Sequence, residues 1–477
     1  MNLSNVKKIY FIGIEGAGTS ALAVMFKKAG YEVSGSDEGD HFYFEILKDS
    51  GIKVFHKFAA ENIPRDADLV VYSLAFKNDT NPETAAAKKM GKKLLSYGEA
   101  LALLFNQNYG ISVCGCHGKS TTSAWLAFVL EKARRSPKLI VGAKVPQFGA
   151  NYLSGFSEYF VLESDEYGNK LEFLNPKAVL LNNIEYDHPD FFPSFDDYLK
   201  VFVKFIERIP KKGFLVANFD DQAVRRIAPV NTRAKVISYA IDEPADYVAY
   251  DIRQAGERQF FKVKIGVSDF ENEDDDAIAN SELGDFAIRL SGKHNVYNAL
   301  AVIASAIELG VDLVDVRTHL EDFAGISRRM EKMGEFRGAL IYDDYAHHPT
   351  EIRATLAGAR GKFGNKKIRV VFHPHTFTRT KALLDDFAMS FDDADEVIVL
   401  DIYGSARETQ GGVHSRDLVQ KIKSEIRNQK SEIKYIATLD ECEKYLRETI
   451  ERDEVIILMG AGDVFRIGER LVKYAGM

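Results

Sequence analysis

The sequence predicts an α/β protein of three domains, with Rossmann-like folds at both ends and a phosphate-loop (P-loop) α/β domain between them. The chain has 477 residues, more than one hydrophobic core usually organises. Apolar runs of strand length alternate with helical patterns near both ends of the chain, as in parallel sheets covered by helices. Two glycine-containing turns each follow such a run and precede a helical pattern, as phosphate-binding turns do.

The domain boundaries are placed where these patterns change. We expect the first domain at residues 1–108, the second at 109–322 and the third at 323–477. The stretch 323–329 contains Gly325 and separates the second segment from the third, which makes it a natural hinge.

Composition and charge narrow the classes of partner. Hydrophobic residues make up 46% of the chain and charged residues 28%, as in ordinary globular proteins. The formal net charge of −8 argues against a nucleic-acid-binding protein, and no apolar run approaches the roughly 20 residues that cross a bilayer. The three cysteines make no disulfide framework. We expect a cytoplasmic protein with small-molecule substrates and with neither nucleic acid nor a membrane as partner.

The first glycine-rich loop follows an apolar run at residues 8–12. Glycines there let the backbone approach a diphosphate, and Asp37 lies about 20 residues after the loop, where a ribose hydroxyl would be bound. Gly13, Gly16 and Gly18 are spaced as G-x-x-G-x-G, not as the G-x-G-x-x-G of dinucleotide-binding proteins. The spacing favours another diphosphate-bearing nucleotide, with NAD and a nicotinamide-dependent oxidoreductase as the alternative.

A second phosphate-binding loop is predicted at residues 113–122, which read V-C-G-C-H-G-K-S-T-T. Backbone N–H groups at a helix start bind anions, while Lys119 adds a cation and Ser120 a hydroxyl suited to Mg²⁺. The strict pattern G-x-x-x-x-G-K-[ST] is not met, because Val113 stands at its first glycine. We predict a shorter phosphate loop for a nucleoside triphosphate; the alternative is an ordinary turn between a strand and a helix.

Acidic side chains and a histidine follow two apolar strands of the middle segment. Glu163 and Glu166 end one strand, and Asp187 and His188 end the next. Ligands of open α/β sheets gather at the carboxyl ends of strands, so these side chains should converge on the phosphate loop. A carboxylate such as Glu163 together with the Ser120 hydroxyl suits Mg²⁺. The alternative is that they are solvated polar residues at strand ends.

Two other stretches have less specific patterns. His294 and Asn295 open a predicted helix and could hydrogen-bond the edge of an adenine, although Asn near a helix start is also a common cap. Residues 266–285 are rich in Asp and Glu, and we expect an exposed loop or hairpin tip without a chemical role.

Polar clusters end four predicted strands of the last segment, in residues 340–349, 369–380, 396–403 and 455–463. The carboxyl ends of parallel strands share one edge, so a site is expected there. Arg329, at the hinge, could bind a transferring phosphate through two guanidinium nitrogens, although a lone surface arginine would have no function.

Taken in order, these motifs resemble those of the Mur ligase family, the ATP-dependent amide ligases that build the peptide of bacterial cell-wall precursors. The resemblance spans nearly the whole chain; each motif alone is weak, but the ordered series is specific. The matching segments are residues 13–20, 115–122, 163–166, 183–188, 294–299, 323–329 and 343–350.

The resemblance implies a reaction as well as a fold. The first domain would bind a UDP sugar, the second ATP and Mg²⁺, and the third the incoming amine. A muramyl carboxylate would attack the γ-phosphate of ATP to give an acyl phosphate and ADP. The amine would then attack the acyl carbon and release phosphate.

The resemblance also implies roles for individual residues. The catalytic residues would be Lys119, Glu163, His188, His347 and Arg379. ATP would be bound by Gly115, Cys116, His117, Gly118, Lys119, Ser120, Thr121, His294, Asn295, Arg329 and Asp344. The UDP sugar would be bound by Gly13, Gly16, Ala17, Gly18, Thr19, Ser20, Asp37 and Ser73. The amino acid would be bound by Tyr345, His347 and Arg379, and Mg²⁺ by Ser120, Glu163 and His188.

Within the family, residues 347–351 and 374–380 resemble the branch that joins L-alanine to UDP-N-acetylmuramate. Residues 165–167 and 182–188 resemble the branch that recycles a ready-made tripeptide. Two positions depart from the usual pattern: Cys116 replaces a Thr, and Thr376 stands where the alanine-adding branch usually has an Arg. We expect the alanine ligase. The alternatives are the recycling ligase, the oxidoreductase, and a nucleotide-binding regulatory protein on an inactive ligase scaffold.

Overall fold

The structure is a computed structural model that describes residues 5–38, 43–73, 76, 81–188, 191–266, 281–404, 408, 411–428 and 430–475. Within these residues the strands form three sheets of five, ten and six strands, each built from one continuous stretch of chain. The predicted α/β fold of three domains is confirmed. Most of the acidic stretch expected to be an exposed loop, residues 267–280, lies outside the described residues.

The first sheet is parallel and Rossmann-like. Its strands are β1 (Lys8–Ile12), β2 (Glu32–Ser36), β3 (Lys53–Phe55), β4 (Leu69–Tyr72) and β5 (Lys93–Ser96), and its helices are α1 (Ala17–Lys28), α2 (Phe44–Asp49), α3 (Pro82–Lys89) and α4 (Tyr97–Phe105). The strand order is β3-β2-β1-β4-β5. The chain turns sharply from β5 into α4, where Ser96 and Glu99 form a capping box that satisfies free amides of the first turn.

The second sheet has a parallel centre and antiparallel edges. Its strands are β6 (Tyr109–Cys114), β7 (Lys138–Val145), β8 (Ala150–Ser154), β9 (Tyr159–Glu163), β10 (Ala178–Leu181), β11 (Phe214–Asn218), β12 (Lys235–Ala240), β13 (Tyr247–Ala255), β14 (Arg258–Ile265) and β15 (Glu282–Ile288). The order is β15-β14-β13-β12-β11-β10-β6-β9-β7-β8. The phosphate-loop strand β6 therefore lies between β10 and β9, the two strands that carry the acidic ends.

Five helices of the described residues belong to this second domain and cover its sheet. They are α5 (Lys119–Lys132), α6 (Phe195–Ile206), α7 (Gln222–Ile227), α8 (Lys293–Glu308) and α9 (Leu313–Asp322). Trp125 of α5 is fully buried, stacks on Phe323, and donates a hydrogen bond to the Leu320 carbonyl. The helix that follows the phosphate loop is thereby anchored at the entrance to the third domain.

The third sheet contains β16 (Glu331–Phe336), β17 (Ala339–Asp344), β18 (Ile368–Phe372), β19 (Glu396–Val399), β20 (Glu432–Tyr435) and β21 (Val455–Met459). Its helices are α10 (Pro349–Phe363), α11 (Phe377–Ala382), α12 (Leu384–Ala388), α13 (Ser415–Glu425), α14 (Leu439–Thr449) and α15 (Phe465–Ala475). The strand order is β16-β17-β21-β18-β19-β20.

The four strands predicted for the third sheet pair in parallel, and the sheet has a further edge strand that was not predicted. β16 pairs antiparallel to β17, and Arg337 and Gly338, both at positive φ, form the two-residue turn between them. Positive φ at both positions is typical of a tight hairpin turn whose twist matches its strands. Within the described residues, no helix is long and apolar enough to cross a membrane.

Candidate functional site

The phosphate loop connects β6 to α5 through two glycines in left-handed conformations. Gly115 has φ +119° and Gly118 has φ +77°. A side chain at Gly115 would place its Cβ 2.7 Å from the Asn183 carbonyl oxygen. The His117 amide donates to the Asn183 side chain at 2.8 Å. The loop is thus pressed against the end of β10, and only glycine fits its tightest points.

Two buried asparagines that the sequence analysis did not assign also hold this loop. Asn182 donates to the His117 carbonyl and to the Thr122 hydroxyl, both at 3.2 Å, and Thr122 donates to Asn298 at 3.1 Å. The signal for them was weak, because an asparagine after a strand or on a helix has many ordinary roles.

Lys119 is the central cation of the loop. Its Nζ donates to the Gly115 carbonyl at 2.6 Å and the Cys116 carbonyl at 3.1 Å, and lies 3.5 Å from Glu166 Oε2. Burial by itself would lower the pKa of Lys119, but the nearby carboxylates, Glu166 first, raise it above its ordinary value. The side chain is therefore a fixed positive charge beside the helix N-terminus, where phosphate oxygens are bound.

The predicted convergence of strand-end carboxylates on this loop is confirmed for Glu163 and Glu166, while Asp187 pairs with the third domain. Ser120 donates to Glu163 Oε1 at 2.7 Å. Glu166 accepts a hydrogen bond from the Tyr198 hydroxyl at 2.8 Å, and His188 Nε2 lies 3.7 Å from Glu166 Oε1. Among the described residues, Glu166 Oε2 is buried and accepts no hydrogen bond. The oxygen-rich set fits Mg²⁺, which prefers oxygen ligands, and His188 is the less usual member.

A buried ion pair links this region to the third domain. Arg379 Nη2 donates to Asp187 Oδ1 at 2.9 Å, and both side chains are about nine-tenths buried. Burial alone would raise the pKa of Asp187, but the Arg379 charge, followed by His188, lowers it below its ordinary value. Arg379 Nε is buried and has no hydrogen-bond partner in the described part of the chain.

Glu351, on the first turn of α10, is a further residue of the site that the sequence analysis did not assign. Its carboxylate lies 3.2 Å from Arg329 Nη1, 3.4 Å from His117 Nδ1 and 3.3 Å from His347 Nδ1. Burial alone would raise its pKa, but the charge of Arg329 foremost, with a contribution from His117, holds it well below the usual range. A Glu three residues after the helix cap was the available signal, but it does not identify partners from another domain.

A cavity of about 1240 Å³ joins all three domains. It contains residues predicted for the UDP sugar, ATP, Mg²⁺ and the amino acid. These are Ala17, Gly18, Cys116, His117, Gly118, Lys119, Ser120, Glu163, His188, Arg329, Tyr345 and His347. The two nucleotide loops therefore face the same space.

The other predicted sugar-nucleotide residues shape the first loop and do not line this cavity. The Thr19 hydroxyl donates to the Gly13 carbonyl at 2.7 Å, and the Ser20 hydroxyl to the Ala17 carbonyl at 3.1 Å. Asp37 accepts the Glu15 amide at 2.7 Å. The remaining two are Gly16, the cap of α1, and Ser73, which follows β4 and donates its amide to the Ile12 carbonyl.

A second cavity, of about 890 Å³, lies on the other side of the phosphate loop. Its lining includes predicted ATP residues from both the second and third domains. These are His117, Gly118, Thr121, His294, Asn295, Arg329 and Asp344. Arg329 lines both cavities, while Gly115 and Arg379 line neither. The cap alternative for Asn295 is wrong, because α8 is capped by Gly292 and Asn295 donates to the Ser291 carbonyl.

Comparison with known proteins gives consistent matches along the chain. The family model described as Mur ligase family, catalytic domain, matches residues 8–109; the Mur ligase middle domain matches 113–306; and the Mur ligase, glutamate ligase domain, matches 328–462. A UDP-N-acetylmuramate–L-alanine ligase of Alkaliphilus metalliredigens is 39% identical, covering 99% of this chain and 98% of the relative. One from a Sulfurihydrogenibium species is 37% identical, with 98% of each chain covered. The crystal structure of UDP-N-acetylmuramate-alanine ligase MurC from Thermotoga maritima has a TM-score of 0.79 and 27% identity, covering 98% of both chains.

Substitution of Gly118 tests the phosphate loop. In Gly118→Ala the new Cβ would lie 2.4 Å from Asn298 Oδ1, so we expect ATP binding to weaken at least about tenfold because the loop amides are displaced. Gly149→Ala is the matched control, since Gly149 has φ +68° and nothing within 4 Å of a Cβ. Both variants carry about 1–2 kcal/mol of left-handed strain. Titration calorimetry with ATP distinguishes the two variants. An equal loss of ATP affinity in both would contradict the assignment of residues 113–122 as the phosphate loop.

His294 predicts a pH dependence of stability. Burial, followed by the Arg329 charge, lowers its pKa from 6.5 to about 4. The unfolded chain therefore gains a proton near pH 6.5 that the folded protein does not. The contribution of His294 to the free energy of unfolding is therefore full above pH 6.5. It is lost as the pH falls toward 4, by up to about 1.4 kcal/mol per pH unit. Urea unfolding of wild type and His294→Asn between pH 7 and 4.5 should show this loss in wild type. His56→Asn, at a half-exposed position, should follow wild type, and parallel curves for wild type and His294→Asn would refute the prediction.

Proposed function

The chain belongs to the Mur ligase family, and we propose that it is the ATP-dependent ligase that joins L-alanine to UDP-N-acetylmuramate in peptidoglycan precursor synthesis, releasing ADP and phosphate. The observation that carries the proposal is the shared cavity of about 1240 Å³. Ala17 and Gly18 of the first loop line it together with Lys119 and Ser120 of the phosphate loop. An acid carried by one nucleotide can therefore meet the γ-phosphate of another.

The first step requires a carboxylate to attack a phosphate, and both groups are anionic. We assign Lys119 and the loop amides to the β- and γ-phosphates, where they offset charge that develops on the transferring oxygens. The fixed position of Lys119 supports this role, because a charge that is already oriented needs no reorganisation during reaction.

We assign Mg²⁺ to Ser120, Glu163 and His188. Bound there, the ion would screen the two anions and orient phosphate oxygens. The support is the donor chemistry of the site: a hydroxyl, a carboxylate and the nearby buried Glu166 carboxylate all face the phosphate loop.

We assign the adenine to the second cavity, beside His294 and Asn295, with Arg329 and Asp344 approaching from the third domain. Arg329 is suited to a phosphate because it lines both cavities. Its pKa is raised: burial opposes the charge, but Glu351 and then Asp344 stabilise it.

The amine is assigned to the third-domain side of the large cavity. His347 Nδ1 lies 3.0 Å from the Tyr345 carbonyl, an acceptor, so the proton is on Nδ1 and Nε2 carries the lone pair. Burial lowers the pKa of His347 to about 3, which keeps the ring neutral. Its Nε2 can therefore accept a hydrogen bond from the incoming amine. Tyr345 lines the cavity and would orient the amino-acid carboxylate. Arg379 does not line it here, and would reach the carboxylate by exchanging its Asp187 partner for it.

An acyl phosphate is sensitive to water, so the third domain must close over the cavity during the reaction. ATP and nucleotide sugars are cytoplasmic metabolites, and we place the reaction in the cytoplasm.

A substrate panel tests the proposal. Purified protein with UDP-N-acetylmuramate and Mg-ATP is given L-alanine, L-serine, glycine or the cell-wall tripeptide, and ADP, phosphate and the ligated product are measured. We expect turnover only when the muramyl nucleotide and an amine are both present, with L-alanine preferred. Preference for the tripeptide would identify the recycling ligase, and ATP turnover indifferent to the muramyl nucleotide would refute a ligase. Titration with NADH tests the oxidoreductase alternative. A complete absence of turnover would support the regulatory alternative.

Lys119→Ala should reduce kcat/KM at least about 100-fold, which corresponds to about 3 kcal/mol of transition-state stabilisation. The matched control is Lys132→Ala, at the far end of the same helix and exposed, which should retain wild-type turnover. Circular dichroism should show both variants folded. An unfolded Lys119→Ala protein would assign Lys119 to structure rather than to catalysis.

A further inference from the structure

A cluster of two imidazoles and a carboxylate lies between the two cavities, apart from the proposed Mg²⁺ ligands. His117 comes from the phosphate loop, Glu185 from the loop after β10, and His348 from the start of α10 in the third domain. Each offers a ligand atom within 4.8 Å of the other two. We propose that these three side chains form a binding site for a divalent transition-metal ion of the zinc class, which ties the third domain to the phosphate loop.

The distances fit a metal of this size. Glu185 Oε2 lies 3.0 Å from His117 Nε2 and 3.8 Å from His348 Nδ1. Ligand atoms around a tetrahedral zinc with bonds of about 2.0 Å are about 3.3 Å apart. Both measured separations are close to this value, so small side-chain movements can seat an ion.

A second observation supports a metal rather than an ordinary ion pair. The other ring nitrogen of His117, Nδ1, lies 3.4 Å from Glu351 Oε1. Metal-binding histidines commonly place their second nitrogen against a carboxylate, which fixes the tautomer and makes the ligand more basic. His117 has this arrangement, with one nitrogen on the ligand cluster and the other on a buried carboxylate.

The donor set selects the class of ion. Two imidazole nitrogens and one carboxylate oxygen suit zinc or cobalt, whereas Mg²⁺ prefers oxygen ligands alone. Three protein ligands leave a fourth position for water or another ligand. His117 lines both cavities, while Glu185 and His348 line one each, so an ion can reach the site from solvent.

One existing contact competes with the metal. His348 Nδ1 accepts the Thr350 amide at 3.3 Å, which is long for a hydrogen bond. A bound ion would use the lone pair of His348 Nδ1, and only this weak capping hydrogen bond would be lost. The same contact guides the choice of variant, because asparagine is also a good helix cap: His348→Asn removes the imidazole while keeping a capping side chain.

Binding of Zn²⁺ alone to the full-length protein tests the proposal without any turnover assay, so its outcome does not depend on the proposed reaction. Competition against a chromophoric chelator should show one tight site in wild type. His348→Asn and Glu185→Gln should each weaken it at least about tenfold, and Glu351→Gln should weaken it about tenfold through His117. Circular dichroism would verify that the variants fold.

Two control variants make the result specific. His414 caps α13 through its Nδ1 as His348 caps α10, so His414→Asn makes the same change elsewhere and should leave Zn²⁺ binding unchanged. His188→Asn removes a ligand from the proposed Mg²⁺ set and should also retain the tight Zn²⁺ site. Unchanged affinity in both His348→Asn and Glu185→Gln, or loss of the site in His188→Asn alone, would overturn the proposal.

Cobalt gives a spectroscopic check on the ligands. Co²⁺ bound to wild type should show the strong visible absorption of a four-coordinate ion, and His348→Asn should lose it. Hydrogen exchange at the start of α10 should slow on addition of Zn²⁺ in wild type but not in His348→Asn. If wild type showed neither the Co²⁺ absorption nor the slower exchange, a metal link between the third domain and the phosphate loop would be refuted.

Discussion

The arrangement of the site depends on one buried carboxylate, Glu351, where the second and third domains meet. It faces Arg329 and His347 from its own domain and His117 from the phosphate loop. A buried charge is tolerated only when it is paired, so the position of α10 is coupled to that of the phosphate loop. The lowered pKa of Glu351 reflects this pairing. The Glu351–His117 contact therefore helps to set the distance between the phosphate loop and Arg329 of the third domain.

The other contacts across the site are also ionic. Lys119 pairs with Glu166 within the second domain, and Asp187 pairs with Arg379 across to the third. Polar interfaces between domains separate more readily than large apolar ones. The same groups that hold the domains together here can thus exchange their partners for anionic substrates. This gives a physical basis for the opening and closing that a water-sensitive intermediate requires.

Much of the fold could be predicted because its signals are local. The run at Lys8–Ile12 is β1, the phosphate loop lies between β6 and α5, and the acidic strand ends follow β9 and β10. The convergence of Glu163 and Glu166 on that loop also followed from the rule for parallel strands. The antiparallel edge strand β16 was not predicted, because its pairing partner is chosen by a short turn and not by the hydrophobic pattern.

The sequence by itself determined the chemistry that is available: two glycine loops, a lysine and hydroxyl at a helix start, and carboxylates at strand ends. Those features depend on neighbours in the chain, and ordered motifs made the family visible. Only the tertiary structure decided which groups meet. Glu351 reaching His117, and Asp187 reaching Arg379 across 192 positions, depend on how whole domains pack, and the periodicity of a sequence has no information about contacts between separate sheets.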